Sequence, residues 1–240
     1  MNDLADIKAE FEKRKPWITQ FHIEGEKFGG NFDAMNDARI KQFFEIFPNV
    51  KTVVELGSLE GGHSFALAQS PQIEKVTAIE SREINIERAK FVQSILDDKK
   101  VEFVQADIEK LDFQKLGRFD AVFCSGLLYH LPRPWELIPK LSAISPNIFI
   151  WTQVSEEAKA KKMREGWRGK FYREGGILDP LSGMSKKSFW LSLGSLINLL
   201  TTNGYREIKI IENNLSHPNG TAVTLAATFH NFKLMQELEK

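Results

Sequence analysis

From Lys51 onward, short runs rich in β-branched and aromatic residues alternate with longer segments in which apolar residues have helical spacing. The short runs predict strands at 51–56, 75–80, 101–105, 119–124 and 147–152. The longer segments predict helices at about 62–69, 82–96 and 134–143. Strands that alternate with helices pair in parallel through right-handed crossovers. The alternation therefore predicts an α/β fold, a doubly wound and mostly parallel sheet.

Three further segments complete this prediction. Residues 1–47 predict a helical extension, with helices at about 2–14 and 33–46 around a glycine-bearing stretch with several aromatic residues. Residues 153–186 mix aromatic side chains with lysine and arginine, and we interpret them either as a lid-like insertion or as a solvated loop. The last segment predicts a helix and then an antiparallel hairpin from 205–212 and 221–229, which raises the sheet to seven strands. We accordingly divide the chain into an extension, 1–47, and a main domain, 48–232.

Two local signals mark the ends of that late helix. Ser185 or Ser188 is the predicted N-cap, because serine side chains satisfy the first free N–H groups of a helix. Gly204 follows the last apolar residues and is predicted to adopt the left-handed conformation that commonly ends a helix.

The composition limits the partners and sites that the chain can have. Lysine plus arginine and aspartate plus glutamate both number 32, so the zero net charge argues against a nucleic-acid partner, although a local basic patch keeps one open. The single cysteine, Cys124, excludes an intramolecular disulfide and a cysteine-based metal site, and we expect no metal. The charged N-terminus lacks the apolar run of a signal peptide, and no apolar stretch has the length of a membrane span. We expect a cytoplasmic protein without a membrane partner.

The most informative stretch is the turn after the first strand of the alternation, where residues 53–64 read VVELGSLEGGHS. A buried strand that passes through glycines into a helix lets the backbone approach a ligand closely. Glu80 ends the next strand, 23 residues after Gly57, where a carboxylate can accept hydrogen bonds from ribose hydroxyls, and Asp107 follows the third strand. These features predict a nucleotide-type ligand. The spacing G-x-x-x-G-G and the acid Glu55 before it argue against a nicotinamide dinucleotide.

In these residues the chain resembles the class I S-adenosylmethionine-dependent methyltransferases, over about residues 50–152. Glu55-x-Gly57-x-x-x-Gly61 is similar to the first motif of that family, with Leu59 at the position of its usual middle glycine. The resemblance implies a Rossmann-like fold and S-adenosylmethionine as the cofactor. It also implies the cofactor-binding residues, which are Glu55, Gly57, Ser58, Gly61, Glu80, Ser81, Asp107, Ile108 and Ser125.

The acceptor side of the predicted site follows the fourth strand, in residues 125–135. In methyl transfer from a sulfonium the carbon is already activated, so the protein mainly orients the acceptor and removes its proton. His130 is the candidate general base, because histidine titrates in the useful range; the alternative is that it only packs against the next helix. Tyr129 is the second catalytic candidate, which would shape the pocket or simply pack. We interpret His63 as a helix-start residue rather than a base.

These observations predict a methyltransferase that acts on a small-molecule acceptor by in-line transfer. More weakly, residues 124–138 resemble the carboxy-S-adenosylmethionine-dependent transferases that modify the wobble uridine of tRNA, so a tRNA-modifying (carboxy)methyltransferase is an alternative. A non-catalytic protein that binds an S-adenosyl ligand and a nicotinamide-dependent oxidoreductase are two others. The apolar face of helix 1–14 or of helix 187–202 is a candidate contact for a homodimer.

Overall fold

The structure is a computed structural model that describes residues 3–176 and 179–229. The chain divides into two compact units, Met1–Lys110 and Leu111–Lys240. The strands described in the first unit are β1 (Gln20–Ile23), β2 (Glu26–Gly29), β3 (Thr52–Leu56), β4 (Lys75–Glu80) and β5 (Val101–Gln105). Its described α-helices are α1 (Leu4–Lys13), α2 (Ala38–Ile46), α3 (Gly62–Ala68) and α4 (Glu83–Leu96).

The second unit contributes the remaining elements. Its described strands are β6 (Ala121–Ser125), β7 (Asn147–Gln153), β8 (Lys162–Arg164), β9 (Trp167–Arg173), β10 (Lys187–Leu191), β11 (Tyr205–Asn214) and β12 (Ala222–Phe229). Its described α-helices are α5 (Leu137–Ser142) and α6 (Leu193–Thr202). The main sheet has seven strands in the order β11-β12-β7-β6-β3-β4-β5, and β12 runs antiparallel to both β7 and β11. The predicted fold class, a mostly parallel seven-stranded sheet with a C-terminal antiparallel hairpin, is confirmed.

In the first unit the core lies around β3, β4 and α3. The two strands pair in parallel, with Val53 opposite Val76, and their central residues are buried on both faces. Every residue of α3 is buried as well. Burial on both faces is what the continuous apolar run of β3 predicts, because strands inside a doubly wound sheet are covered by helices on each side.

The N-terminal extension contains the two predicted helices, but the stretch between them folds into a hairpin, β1 and β2, that the sequence analysis did not predict. Its two-residue turn is Glu24-Gly25, in which both residues have a positive φ, as a type I′ turn requires. The buried carboxylate of Glu60 accepts hydrogen bonds from the backbone N–H groups of Ile18 and Thr19, at 3.0 and 2.6 Å. The guanidinium of Arg88 lies 3.3 Å from the same carboxylate, so Glu60 contacts both the extension and α4.

The predicted start of the late helix is wrong. Residues 187–191 form β10, in which Phe189, Trp190 and Leu191 are buried, and this strand pairs antiparallel with β9. The helix α6 begins only after Ser192, whose side chain caps it, so neither Ser185 nor Ser188 is its N-cap. Burial and strand pairing therefore outweigh the helical spacing in this segment. Gly204 has a φ of +97°, as predicted.

Residues 153–186 are a folded element of the second unit rather than a simple loop. They supply β8 and β9, which form a separate three-stranded antiparallel sheet in the order β10-β9-β8. A second Glu-Gly turn, at Glu165 and Gly166, joins β8 to β9 and again has positive φ at both positions. Whether the segment acts as a lid stays a prediction, as does the division at residue 48, and the predicted domain end at 232 lies outside the described residues.

The apolar faces considered for a homodimer are buried in this structure. Ile7 and Phe11 of α1 are buried, and so are three of the four leucines of α6, which are Leu196, Leu199 and Leu200. The homodimer therefore stays a prediction without a surface assigned to it. Within the described ranges, the structure has no helix with the length and apolar character of a membrane span.

Candidate active site

The glycine-rich turn between β3 and α3 has a left-handed backbone at three of five consecutive residues. Gly57, Leu59 and Gly61 have φ values of +74°, +52° and +86°. The N–H groups of Gly57 and Ser58 both donate to the carbonyl of Ile79, at 2.8 and 3.0 Å, and so hold the turn against the end of β4. Leu59 thus adopts the backbone that a glycine would take, at a cost of about 1–2 kcal/mol for a residue with a Cβ.

Close packing explains why the last residue of this turn is a glycine. A Cβ at Gly61 would lie 2.8 Å from the ring of Phe103, besides the strain of its positive φ. Any larger residue would have to displace the ring of Phe103 or that of Phe65.

Glu55 lies at the buried end of β3, and its side chain is 3% exposed. The hydroxyl of Ser64 donates to one carboxylate oxygen, and Nδ1 of His63 lies 3.8 Å from the other. Burial raises the pKa of Glu55, the positive charge of His63 and the Ser64 hydrogen bond oppose that shift, and the charge of Glu80 adds to it. A buried carboxylate of this kind is stabilised by any cation that binds beside it.

Glu80 ends β4 and reaches the turn directly. One carboxylate oxygen accepts from the N–H of Leu59 at 3.0 Å, and the other accepts from the N–H of Arg82 at 2.8 Å. The hydroxyl of Ser81 lies 3.5 Å from the carboxylate. The structure therefore brings Glu55, the turn residues and Glu80 together at the carboxyl ends of two neighbouring parallel strands, where open α/β sheets bind ligands.

Asp107 and Ile108 follow β5, the strand next to β4. The carboxylate of Asp107 accepts from the N–H of Glu109 at 3.1 Å and forms an ion pair with Lys110 at 2.9 Å. Its side chain is one-third exposed, whereas Ile108 is buried. A partly exposed hydrogen-bond acceptor beside a buried aliphatic residue suits the edge and the face of an adenine ring. The role of Asp107 and Ile108 in cofactor binding stays a prediction.

The first unit contains side chains that fit S-adenosylmethionine. The hydroxyl oxygen of Ser58 is buried and, among the residues that the structure describes, has no hydrogen-bond partner. A buried hydroxyl without a partner is costly, so a ligand that bonds to it would be stabilised. Glu55 offers an anion for a cationic amino group, and Glu80 offers acceptors for ribose hydroxyls. The carboxylate of Glu55, the hydroxyl of Ser58 and the carboxylate of Glu80 together match the polar groups of this cofactor.

In the second unit, His130 forms a pair with a carboxylate that the sequence analysis missed. Its Nδ1 lies 2.9 Å from an oxygen of Glu174, which follows β9 in the 153–186 segment. The two residues are 44 positions apart, so no spacing in the sequence signals their contact. A chemical signal existed only in general form, because a histidine that acts as a base commonly has a carboxylate as its orienting partner.

Glu174 is buried, and both of its carboxylate oxygens have hydrogen-bond partners. Besides His130, it accepts from the Ser182 hydroxyl at 2.8 Å, from the Gly183 N–H at 2.9 Å and from the Ser188 hydroxyl. Burial alone would raise the pKa of Glu174, but the hydrogen bonds from Ser188 and Gly183 and the charge of His130 outweigh it and keep the pKa below its ordinary value. The carboxylate therefore stays ionised and fixed in position at neutral pH.

The other two predicted residues of the second unit lie near this pair in the chain. Tyr129 packs against the His130 ring, with 4.1 Å between the ring centroids, and makes edge contacts with Trp151 and Trp190. Ser125 is the last residue of β6 and is half-buried. The roles of Tyr129 in catalysis and of Ser125 in cofactor binding stay predictions.

Comparison with known proteins identifies the family. Residues 49–168 match the methyltransferase domain family. The N-terminal domain of EvdMO1, crystallised in the presence of SAH (S-adenosylhomocysteine) and D-fucose, has 31% sequence identity and a TM-score of 0.86, with 96% of this chain and 98% of that chain covered. Whole EvdMO1 has 28% identity and a TM-score of 0.76, with 95% and 48% covered. No curated protein matches the chain.

A more distant structure is similar in fold alone. Magnesium protoporphyrin IX methyltransferase from Synechocystis PCC 6803, with bound SAM, has 16% identity and a TM-score of 0.55, with 81% of this chain and 77% of that chain covered. The chain belongs to the methyltransferase domain family. It is an S-adenosylmethionine-dependent methyltransferase, which confirms the predicted cofactor and enzyme class and sets aside the oxidoreductase and the non-catalytic binder.

Proposed function

We propose that this methyltransferase acts on a hydroxyl group of a small-molecule acceptor, with His130 as the general base and Glu174 as its positioning residue. One observation carries the proposal, the 2.9 Å contact between His130 Nδ1 and a Glu174 carboxylate that is 1% exposed. A neutral hydroxyl is a weak nucleophile, and removal of its proton by an oriented base strengthens it. A buried histidine–carboxylate pair is therefore of most use for a hydroxyl acceptor.

The pair determines which ring nitrogen takes the proton. Because Glu174 accepts from Nδ1–H, the neutral ring carries its lone pair on Nε2. In our proposal Nε2 receives the proton that the acceptor hydroxyl loses, and the Glu174 carboxylate stabilises the imidazolium that forms. The donors around Glu174 keep it from rotating away, so the ring holds one orientation through the reaction.

We assign the predicted cofactor residues to this activity as follows. Glu55 would bind the cationic amino end of the cofactor, the backbone of Gly57 to Gly61 would surround its methionine part, and Glu80 with Ser81 would bind the ribose. Asp107 and Ile108 would contact the adenine, as the family resemblance implies. When bound, the cofactor supplies a methyl carbon already activated by the neighbouring sulfonium.

Sugars are the acceptor class that we favour. The N-terminal domain of EvdMO1 was crystallised with D-fucose as well as SAH, and the nucleophilic groups of a sugar are hydroxyls. That likeness covers 96% of this chain. The proposed acceptor chemistry thus agrees with the base that the second unit contains.

The contacts of the basic segment favour a small molecule over tRNA. The Lys159 ammonium forms an ion pair with Glu156 at 2.6 Å, and Arg168 lies 3.7 Å from Glu157. Lys170 packs over the ring of Trp190, 4.2 Å from its centroid. Cations already engaged in the protein contribute less to phosphate binding, so these three positions favour a small molecule over a polynucleotide.

The test is a transfer assay with S-adenosylmethionine and a panel of free sugars and sugar glycosides, in which O-methylated product and SAH are both measured. We expect a sugar to be methylated and His130→Ala to lower kcat by about 10²- to 10⁴-fold, because proton removal is lost. His22→Ala is the matched control, since His22 also lies 3.0 Å from a carboxylate, that of Asp33, but outside the proposed site. Wild-type kcat in His130→Ala, or methylation of tRNA alone, would contradict the proposal.

A further inference from the structure

His63 lies between two carboxylates that belong to different parts of the first unit. Its Nε2 is 3.0 Å from an oxygen of Asp37, the residue that caps α2 in the N-terminal extension. Its Nδ1 is 3.8 Å from an oxygen of Glu55 at the end of β3. The side chains of all three residues are at most 11% exposed, so their charges act on one another with little screening by water.

This arrangement suits a positively charged histidine. Only the protonated imidazole has a donor at each nitrogen, and here each nitrogen faces a carboxylate. Burial raises the pKa of Asp37, but the hydrogen bonds from His63 and from Arg39 outweigh it, so this carboxyl group stays ionised through the neutral range. An ionised Asp37 in turn stabilises the charge of His63.

The charge of His63 bears directly on Glu55. The charged and titratable groups around that carboxylate are His63 of α3 and Glu80 of β4, and the Ser64 hydroxyl donates to it. Glu80 and burial both favour the protonated form of Glu55, while His63 favours the ionised form. Arg39 lies beyond His63 and is bound to Asp37 at 2.9 Å. His63 is therefore the cation that opposes burial and Glu80, although the balance of these effects still raises the pKa of Glu55.

We infer that Asp37 is a positioning residue for cofactor binding, which acts through His63 to keep Glu55 ionised for the amino group of the cofactor. The inference rests on the proposed role of Glu55. It extends the cofactor site into the N-terminal extension, outside residues 49–168 that match the family. It also gives His63 a function beyond that of a helix-start residue.

The experiment measures SAH affinity by isothermal titration from about pH 5.5 to about pH 8.5, in the wild type, Asp37→Asn and His63→Gln. Without the charge of His63, the ionised form of Glu55 is lost at a higher pH than in the wild type. We expect the acid limb of the affinity profile to move up by about one pH unit in both variants, so that Kd near pH 6 rises about tenfold. His63→Gln provides a second route to the same result should Asp37→Asn fold poorly.

Asp33→Asn is the matched control. Asp33 also caps a short helix in the extension and also lies 3.0 Å from a histidine, His22. Asparagine preserves helix caps at both positions. Asp37→Asn also loses the ion pair with Arg39, which His63→Gln leaves in place. Asp33→Asn should retain the wild-type profile.

The outcomes separate the inference from the proposed function. A wild-type profile in both Asp37→Asn and His63→Gln overturns the inference, and so does an equal shift in Asp33→Asn, which would indicate a general effect of the extension. If Glu55→Gln binds SAH as well as the wild type does, the proposed role of Glu55 fails, and the inference fails with it. A shift in Asp37→Asn and His63→Gln alone supports both.

Discussion

Each of the two units contains a buried histidine–carboxylate pair, and the two pairs differ in what surrounds them. His63 has carboxylates at both ring nitrogens, at 3.0 and 3.8 Å, so each nitrogen faces an acceptor. His130 has Glu174 at one nitrogen, and that carboxylate is held by three further donors, from Ser182, Gly183 and Ser188. In our proposals, the first arrangement stabilises a charge beside the carboxylate that binds the cofactor, and the second fixes the orientation of the ring that accepts a proton.

The difference gives the two pairs separable effects. Changes at the His63 pair should alter cofactor affinity and its pH dependence, because Glu55 is the neighbour that they affect. Changes at the His130 pair should alter turnover and leave cofactor affinity unchanged, because Glu174 acts only through the base. A variant that changes cofactor affinity and turnover equally would contradict this separation of roles.

The largest separable effect is expected from Glu174→Gln. Glutamine preserves the size of the side chain but cannot stabilise the imidazolium of His130, so kcat should fall about 10²-fold while KM for both substrates stays within about twofold. Steady-state kinetics with the methylated sugar as product provides the measurement. If Glu174 had only a structural role, Glu174→Gln would instead lower kcat, raise KM and weaken SAH binding together.

A smaller effect tests the turn that supports Glu55. At Leu59, with its φ of +52°, glycine should make the protein more stable than alanine does by about 1 kcal/mol, because both variants lose the side chain but only alanine remains strained. Urea denaturation of Leu59→Gly and Leu59→Ala gives this difference in the free energy of unfolding. Glu87, exposed in the interior of α4, is the control, where the order should reverse. The same order at both positions would argue against strain at Leu59.

The sequence was most informative where the site is built from neighbouring residues. Two adjacent strands end at Glu55 with its glycine turn and at Glu80. The alternation of strands and helices in the sequence was therefore enough to predict that these residues lie together. The turn keeps its left-handed backbone although Leu59 replaces a glycine, because hydrogen bonds to Ile79 and Glu80 hold it.

The sequence was least informative where contacts join distant segments or where turn residues are unusual. Glu174 reaches His130 across 44 residues, through a small sheet whose pairing no local pattern indicates. Both unpredicted hairpins turn at a Glu-Gly pair, whereas the common signals for such turns are Asn-Gly and Asp-Gly. The sequence of β10 resembles the start of a helix because its apolar residues continue into α6. Only the pairing of β10 with β9 shows that the segment is a strand.

We propose that the first unit binds the cofactor through Glu55 and that the second unit contains the general base, His130. Isothermal titration of Glu55→Gln and His130→Ala with SAH tests this division of roles. We expect Glu55→Gln to raise Kd by about 10- to 100-fold, since a charge-assisted contact is lost, and His130→Ala to stay within about twofold of the wild type. Equal affinity in Glu55→Gln and the wild type, or an equal loss in both variants, would contradict it.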